Sequence, residues 1–504
     1  MEDKLQQLKQ HLMEVEDLER TSNVLAWDQA TYMPPGGNAA RARQMALMDR
    51  LAHEKLTSAP VGKLLDELQP YAESLPYDAD DASLIRLARR HFERAIKVPA
   101  AFIARQAEHH AMLYDLWARA RPANDFAAVQ PHLQTSLDLS RQYADYFPGY
   151  AHIADPLIDR NDEGMRTETV RAIFADLRAA LMPLVQAIQA KGPVETRFLR
   201  QHYPEAVQWQ FGRAVIEYYG YDFARGRQDK THHPFMIKFS GDDVRITTRF
   251  DEHDLGDGLF STLHEAGHAL YEQNMPPHFE GLPLNTGTSA GIHESQSRLW
   301  ENIVGRSRGF WDFFYPNLQA YFPDQLNGVP MEAFYAAINE VKPSLIRVDA
   351  DEVTYNLHVM LRFDLELQLL EGTLEIKDLP EAWNARYESD LGVTPPDDRD
   401  GVLQDVHWYT ETVGGNFQGY TLGNLFSAQF YEAALATYPE IPGEIAVGKF
   451  GLLRYWLTNN IYRHGSKFTA DELVQRVTGG PLRVAPLVNY LREKYSALYD
   501  LDLN

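Results

Sequence analysis

RTETVRAIFADLRAALMPLVQAIQA, residues 166–190, is the stretch whose reading sets the fold class. Val170, Ile173, Phe174, Leu177, Leu181, Leu184, Val185 and Ile188 recur at steps of three and four, which is one stripe of an amphipathic helix. Pro183 is expected to kink that helix, because proline removes an interior donor and crowds the preceding turn. The same period extends on both sides. From Leu84 to Arg121 two helical patterns meet at Pro99, since the residue before a proline is pushed out of helical conformation. Near the C-terminus Thr469 and Glu472 form a capping box ahead of Leu473, Val474 and Val477, and Gly479, Gly480 and Pro481 stop the helix.

One stretch departs from this period. FMIKFSGDDVRITTRF, from Phe235 to Phe250, carries two β-prone runs around Gly241-Asp242-Asp243 and reads as a β-hairpin. Leu282–Gly291 and the Pro/Asp-rich TPPDDRDG, Thr394–Gly401, read as loops. No repeat of about 20–50 residues and no low-complexity tract is present. The expectation is a mainly α chain with one small antiparallel sheet.

Composition narrows the function. The chain has 504 residues, 44% hydrophobic and 24% charged, enough for a large core, which excludes disordered and fibrous classes. Lys and Arg number 48 against 71 Asp and Glu, and the net −23 repels phosphate backbones and anionic lipid, so neither nucleic acid nor membrane is an expected partner. Cysteine is absent, which excludes disulfides, thiolate nucleophiles and Cys-based zinc ligands. Any metal must be held by histidines and carboxylates. The first segment, MEDKLQQLKQHLMEVEDLER, is charged throughout, and no uninterrupted apolar run approaches the ~18 residues of a membrane span, so a cytoplasmic address is expected.

The most informative segment is DGLFSTLHEAGHALYEQNMPP, residues 257–277. Asp257 is a plausible N-cap, Leu259, Leu263 and Leu270 suit packing positions, and Pro276-Pro277 close a predicted helix of about four turns. His264 and His268, the only histidine pair four apart, project from one face at a separation that suits one zinc ion. The bland alternative is two core or solvated histidines on an ordinary helix. Glu265 stands beside them. A carboxylate next to a metal can take a proton from attacking water and pass it to a departing amine, the HExxH metallopeptidase arrangement.

Two ligands are too few for a catalytic zinc site, and His268 is not followed by the Gly and third His of the metzincin pattern. The next candidate segment is GIHESQSRLWEN, residues 291–302, a predicted second helix. Adjacent helical residues diverge by about 100°, so only one of His293 and Glu294 can face the metal. We favour Glu294. His293 is the competing ligand, otherwise a supporting or substrate-side group, and Arg298 reads as an ordinary helix ion-pair partner.

These segments together resemble the carboxypeptidase Taq family of HExxH metallocarboxypeptidases. The likeness rests on HHPF (232–235), DVRITTR (243–249), HEAGH (264–268), HESQS (293–297), IRVDADEVTYNLHVMLRF (346–363), GVLQDVHW (401–408) and WDQATYMPP (27–35), and so spans nearly the whole chain. The resemblance implies a single large helical, saddle-like catalytic fold with a small sheet beside a deep active-site groove, usually a homodimer. It further implies release of single residues from peptide C-termini with broad preference, using zinc or cobalt. By similarity His264, His268 and Glu294 are the metal ligands and Glu265 the base. One catalytic domain over 1–504 is expected, with a helical part over about 1–230, the hairpin and metal-binding core over about 231–430, and C-terminal helices over about 431–504.

A carboxypeptidase must also hold a free α-carboxylate, for which a planar guanidinium is suited. Arg347 is the first candidate, against a structural ion pair with Asp349, Asp351 or Glu352. His233 is a second candidate, against a core hydrogen bond. His407 and Tyr420 suit donation to the oxyanion that forms on the attacked carbonyl; related peptidyl-dipeptidases use a His and a Tyr so, and the alternative is aromatic packing with Trp408 and Tyr409. Asp351, Glu352 and Tyr355 could orient the imidazoles, against solvated acids on an ordinary helix, and no pair is assigned. The strand edge Val244–Phe250 could align an extended peptide, against a role as a core-covering strand.

Overall fold

The computed structural model describes residues 1–502. Among these, 22 α-helices surround one three-stranded sheet. The stripe at 166–190 folds as the helix Thr167–Gln189, which buries Val170, Phe174, Leu177, Leu181, Leu184, Val185 and Ile188 and carries Pro183 inside it. By length and hydropathy this helix could also cross a bilayer. Its stripe faces the protein core instead, and Arg171 and Arg178 on its outer side pair with Glu371 and Asp364. Pro99 separates helices Asp80–Lys97 and Ala100–Ala120, with Val98 extended before it. The capping box at Thr469 and Glu472 is formed, and Gly479 ends that helix in left-handed conformation.

Strands β1 (Gln228–Lys230), β2 (Met236–Ser240) and β3 (Asp243–Thr248) lie in the order β1-β3-β2. The hairpin β2–β3 is antiparallel, with an irregularity between Lys238 and Ser240, while β1 adds to β3 in parallel. Three polar residues carry no alternation signal, so β1 is invisible to pattern reading. Its presence corrects one expectation. Both edges of β3 are paired within the sheet, so this strand, which holds Val244–Thr248, offers no free edge to a peptide. On the far side of β2, the helix Glu2–Thr31 lies close enough for Asn23 Nδ2 to donate to Lys238 O at 3.3 Å.

Apolar burial falls into two clusters. The large one runs from Val98 to Tyr499 and contains the helix that carries HEAGH. The small one joins Leu5, Leu8 and Leu12 to Leu64, Leu65, Leu68 and Ile85, and closes on Phe279, Leu282 and Leu284 of the loop after that helix. The N-terminal helices therefore hold their own core and are seated on the loop that leads into the second site segment.

Candidate metal centre

The HEAGH segment lies on the helix Leu255–Gln273, capped by Asp254, whose side chain accepts from Gly256 N at 3.0 Å. The helix thus starts one turn earlier than Asp257 suggested; Asp257 sits in its first turn and pairs with Arg249 at 2.6 Å. Gln228 Nε2 donates to Thr248 at 3.1 Å and Thr262 at 3.0 Å, tying β1 and β3 to this helix. GIHESQSR forms the helix Ala290–Arg298, packed between the HEAGH helix and the helix Gln418–Thr437. Two glycines permit that approach. A Cβ on Gly267 would stand 2.6 Å from Gln296 O, and one on Gly423 would stand 2.7 Å from Glu294 Cβ.

The packing brings three donors to one point. Glu294 Oε2 lies 3.6 Å from His264 Nε2 and 3.4 Å from His268 Nε2, and the ligand atoms of the three residues all fall within 4.8 Å of one another. Glu294 is buried, yet Arg298 and His264 outweigh the cost of burial and hold its carboxyl well below the ordinary range. One anionic oxygen and two imidazole nitrogens form a set that zinc and cobalt accept, with a coordination position left over. No other such group occurs among the described residues.

Each imidazole is backed differently. His264 Nδ1 meets Glu301 Oε2 at 2.9 Å. Glu301 lies in a π-helical turn, Leu299–Val304, that continues the GIHESQSR helix. Arg298 donates to Glu294 Oε1 at 2.7 Å and to Glu301 Oε2 at 3.2 Å, so it is more than an ordinary helix partner: it locks the ligand carboxylate to the carboxylate behind His264. His268 Nδ1 instead meets His293 Nδ1 at 2.6 Å, and His293 Nε2 meets Glu272 Oε1 at 2.9 Å. Glu272 accepts from buried Lys238 at 2.9 Å. With His268 Nε2 kept as a lone-pair donor, its Nδ1–H donates to His293, whose Nε2–H donates to Glu272. His293 accordingly stands behind the centre, and Glu294 faces it.

Glu265 lies outside the donor set. It is buried, its carboxylate enters no hydrogen bond or ion pair among the described residues, and burial pushes it up to about 7.

A second polar cluster is built around Asp405. Arg347 donates to it through Nε at 2.7 Å and Nη2 at 3.2 Å, Arg362 through Nε at 2.8 Å, and His407 Nδ1 lies 2.6 Å away. Burial alone would raise the Asp405 carboxyl, but Arg347, His407 and Arg362 hold it well below its usual range. Arg347 is 5% exposed, and its ion-pair partner is this aspartate rather than Asp349, Asp351 or Glu352. Asp351 caps Thr354 and Glu352 binds Lys494 and Tyr495, so neither orients an imidazole. Tyr355 OH accepts from Arg347 Nη1 at 3.0 Å. His407 Nε2 lies 3.0 Å from Tyr420 OH. Tyr420 is one turn before Gly423, which abuts Glu294, so the two clusters share the helix Gln418–Thr437. His233 reaches solvent, and the enclosing protein together with His407, Arg347 and Arg249 lowers its pKa.

Glu301, Glu272, Lys238, Asp405 and Arg362 were not singled out from sequence. A signal existed for one of them: Glu294, Arg298 and Glu301 follow i, i+4, i+7 spacing, a single helix face.

Two helix-borne imidazoles, a carboxylate from a second helix and an unligated buried glutamate beside them define the site of a metal-dependent peptide hydrolase. The family profile described as Carboxypeptidase Taq (M32) metallopeptidase matches residues 7–495. Thermostable carboxypeptidase 1 of Thermus thermophilus is 41% identical over 486 residues, 94% of each chain. Carboxypeptidase 1 of Bacillus subtilis is 35% identical over 480 residues, 94% of this chain and 95% of the relative. The crystal structure of the M32 carboxypeptidase from Deinococcus radiodurans R1 superposes with a TM-score of 0.95 at 49% identity, covering 99% of this chain and 100% of that one. The chain belongs to the carboxypeptidase Taq (M32) family and is a metallocarboxypeptidase.

Proposed function

We propose that this enzyme releases single C-terminal amino acids from peptides with broad preference, with His264, His268 and Glu294 holding zinc or cobalt and Glu265 as general base. The supporting observation is the convergence of the three donors beside a second carboxylate, Glu265, that joins neither them nor any other partner among the described residues. A bound divalent ion would supply Lewis acidity at the scissile carbonyl.

The chain's own groups do the rest. Glu265 takes a proton from the water that adds to the carbonyl carbon, and returns it to the amine as the C–N bond breaks. Tyr420, with His407 behind it, donates to the oxygen on which charge develops. Arg347 has five N–H groups, of which two face Asp405 and one faces Tyr355. The remaining two, with His233, receive the α-carboxylate of the substrate. The net −23 charge favours peptides over nucleic acid or anionic lipid as partners. A homodimer, by family likeness, and a cytoplasmic address complete the proposal.

Mass spectrometry of one peptide with a free C-terminus and its amidated twin, with and without chelator, tests this reading. A ladder shortening one residue at a time from the free C-terminus, absent with chelator and with the amide, is expected. Internal fragments or dipeptide products from the amidated peptide would overturn it.

A further inference from the structure

We propose that Asp405 is the positioning residue of the His407–Tyr420 pair: it pins the imidazole proton on Nδ1 and so directs the Tyr420 hydroxyl. The inference rests on the reading of His407 and Tyr420 as the oxyanion-side groups.

The geometry carries it. Asp405 is an anion among two buried guanidiniums, with Arg347 Nε at 2.7 Å and Arg362 Nε at 2.8 Å from Oδ2. An ionised carboxylate only accepts hydrogen bonds, so the His407 Nδ1 at 2.6 Å from Oδ1 must carry a proton. The ring cannot turn over without presenting carbon to that oxygen. Its Nε2 is thereby aimed at Tyr420 OH, 3.0 Å away. In the neutral ring Nε2 accepts from the phenol. In the imidazolium Nε2–H donates to the phenol oxygen, which frees the phenol proton for the substrate oxygen. In that state Tyr420 is the donor to the substrate oxygen, and His407 acts behind it, in the orientation Asp405 imposes. The backing is rigid. Gln404, one residue earlier, accepts from Arg347 N at 3.0 Å and from Arg362 Nη2 at 2.9 Å, so the loop holding Asp405 is fixed on both sides.

Asp405→Asn keeps the shape but removes the negative charge that balances a ring protonated on both nitrogens, so His407 can no longer hold Nδ1–H and Nε2–H together. Turnover should fall by on the order of 10²–10⁴-fold, the scale of replacing the aspartate behind a catalytic histidine by its amide, with metal content unchanged. The discriminating measurement is the same substitution in a Tyr420→Phe background. Residues that act as one unit are non-additive, so it should there cost little further activity. An equal loss in both backgrounds would show a merely structural aspartate and overturn the proposal. Near-wild-type turnover of Tyr420→Phe and His407→Ala alone would instead sink the parent reading of the pair. Should Asp405→Asn fail to fold, ¹⁵N-histidine NMR of the wild-type enzyme, with His407→Gln for assignment, gives the answer directly. A protonated Nδ1 on His407 is expected, and an unprotonated one overturns the assignment.

Discussion

His264 and His268 stand one turn apart on the same helix and face the same carboxylate, yet they are supported by different chemistry. Behind His264 stands an anion, Glu301, in direct contact. Behind His268 stands a second imidazole, and the anion, Glu272, is one residue further out, held by buried Lys238. The ring protonation follows the difference. Burial lowers both, but Glu294 and Glu301 outweigh it and raise His264, while His268 is pushed down to about 4 by burial, with His293 and His264 adding to it against Glu294. Equivalent spacing along a helix therefore does not make equivalent ligands: what the second nitrogen meets is supplied by other elements.

The largest effect is expected at the outer end of the His268 arm. Lys238→Met leaves Glu272 buried without its cation and should cost about 3–5 kcal/mol of stability, measured by denaturant unfolding of the metal-free chain. Burial would raise Glu272, but Lys238 and His293 hold it at about 2, below its ordinary 4.5. A depressed acid contributes stability that is complete above 4.5 and fades as pH falls toward 2. Lys238→Met should flatten that part of the stability profile, and an unaltered profile would mean that Lys238 does not hold Glu272 ionised.

Glu301→Gln should come next, weakening metal affinity about 10- to 100-fold in a chelator competition, because it removes the anion directly behind His264. Gly423→Ala tests what the two arms share. A Cβ there meets Glu294 Cγ at 2.5 Å, so the ligand helix must shift, at about 1–3 kcal/mol, with a fall in metal affinity that favours neither arm. The smallest change is expected from His293→Phe, under about tenfold in metal affinity, since only the intermediary ring is lost and the anion beyond it stays. Equal losses for Glu301→Gln and His293→Phe would erase the asymmetry between the arms.

Much of the fold was legible where local rules act alone. The stripe at 166–190, the break at Pro99, the capping box at Thr469 and the β2–β3 hairpin each depend on neighbours a few residues away, and each is formed. Legibility failed where a partner comes from far along the chain. Strand β1 pairs with residues 18 positions on, Gln228 with Ile246, and its three polar residues gave no pattern to read. Arg347 was weighed against acids two to five residues away, yet its anion is Asp405, 58 positions on. The helix starts at Asp254 rather than Asp257: Asp254 accepts from Gly256 N, while Asp257 lies in the first turn and pairs with Arg249, a contact that lies outside the capping rules.

By itself the chain of residues determined that His264 and His268 share a face, because the helical repeat sets that separation wherever the helix forms. It also restricted the third donor to one of two adjacent side chains. Only the tertiary structure turned Glu294 inward and His293 behind, since the glycine contacts at Gly267 and Gly423 set how the second helix is rotated against the first. The same holds for Glu301, Lys238 and Asp405, whose roles come from which remote group each meets. Periodicity is a property of the local backbone, whereas the direction of a buried charge is set by whatever packing brings against it.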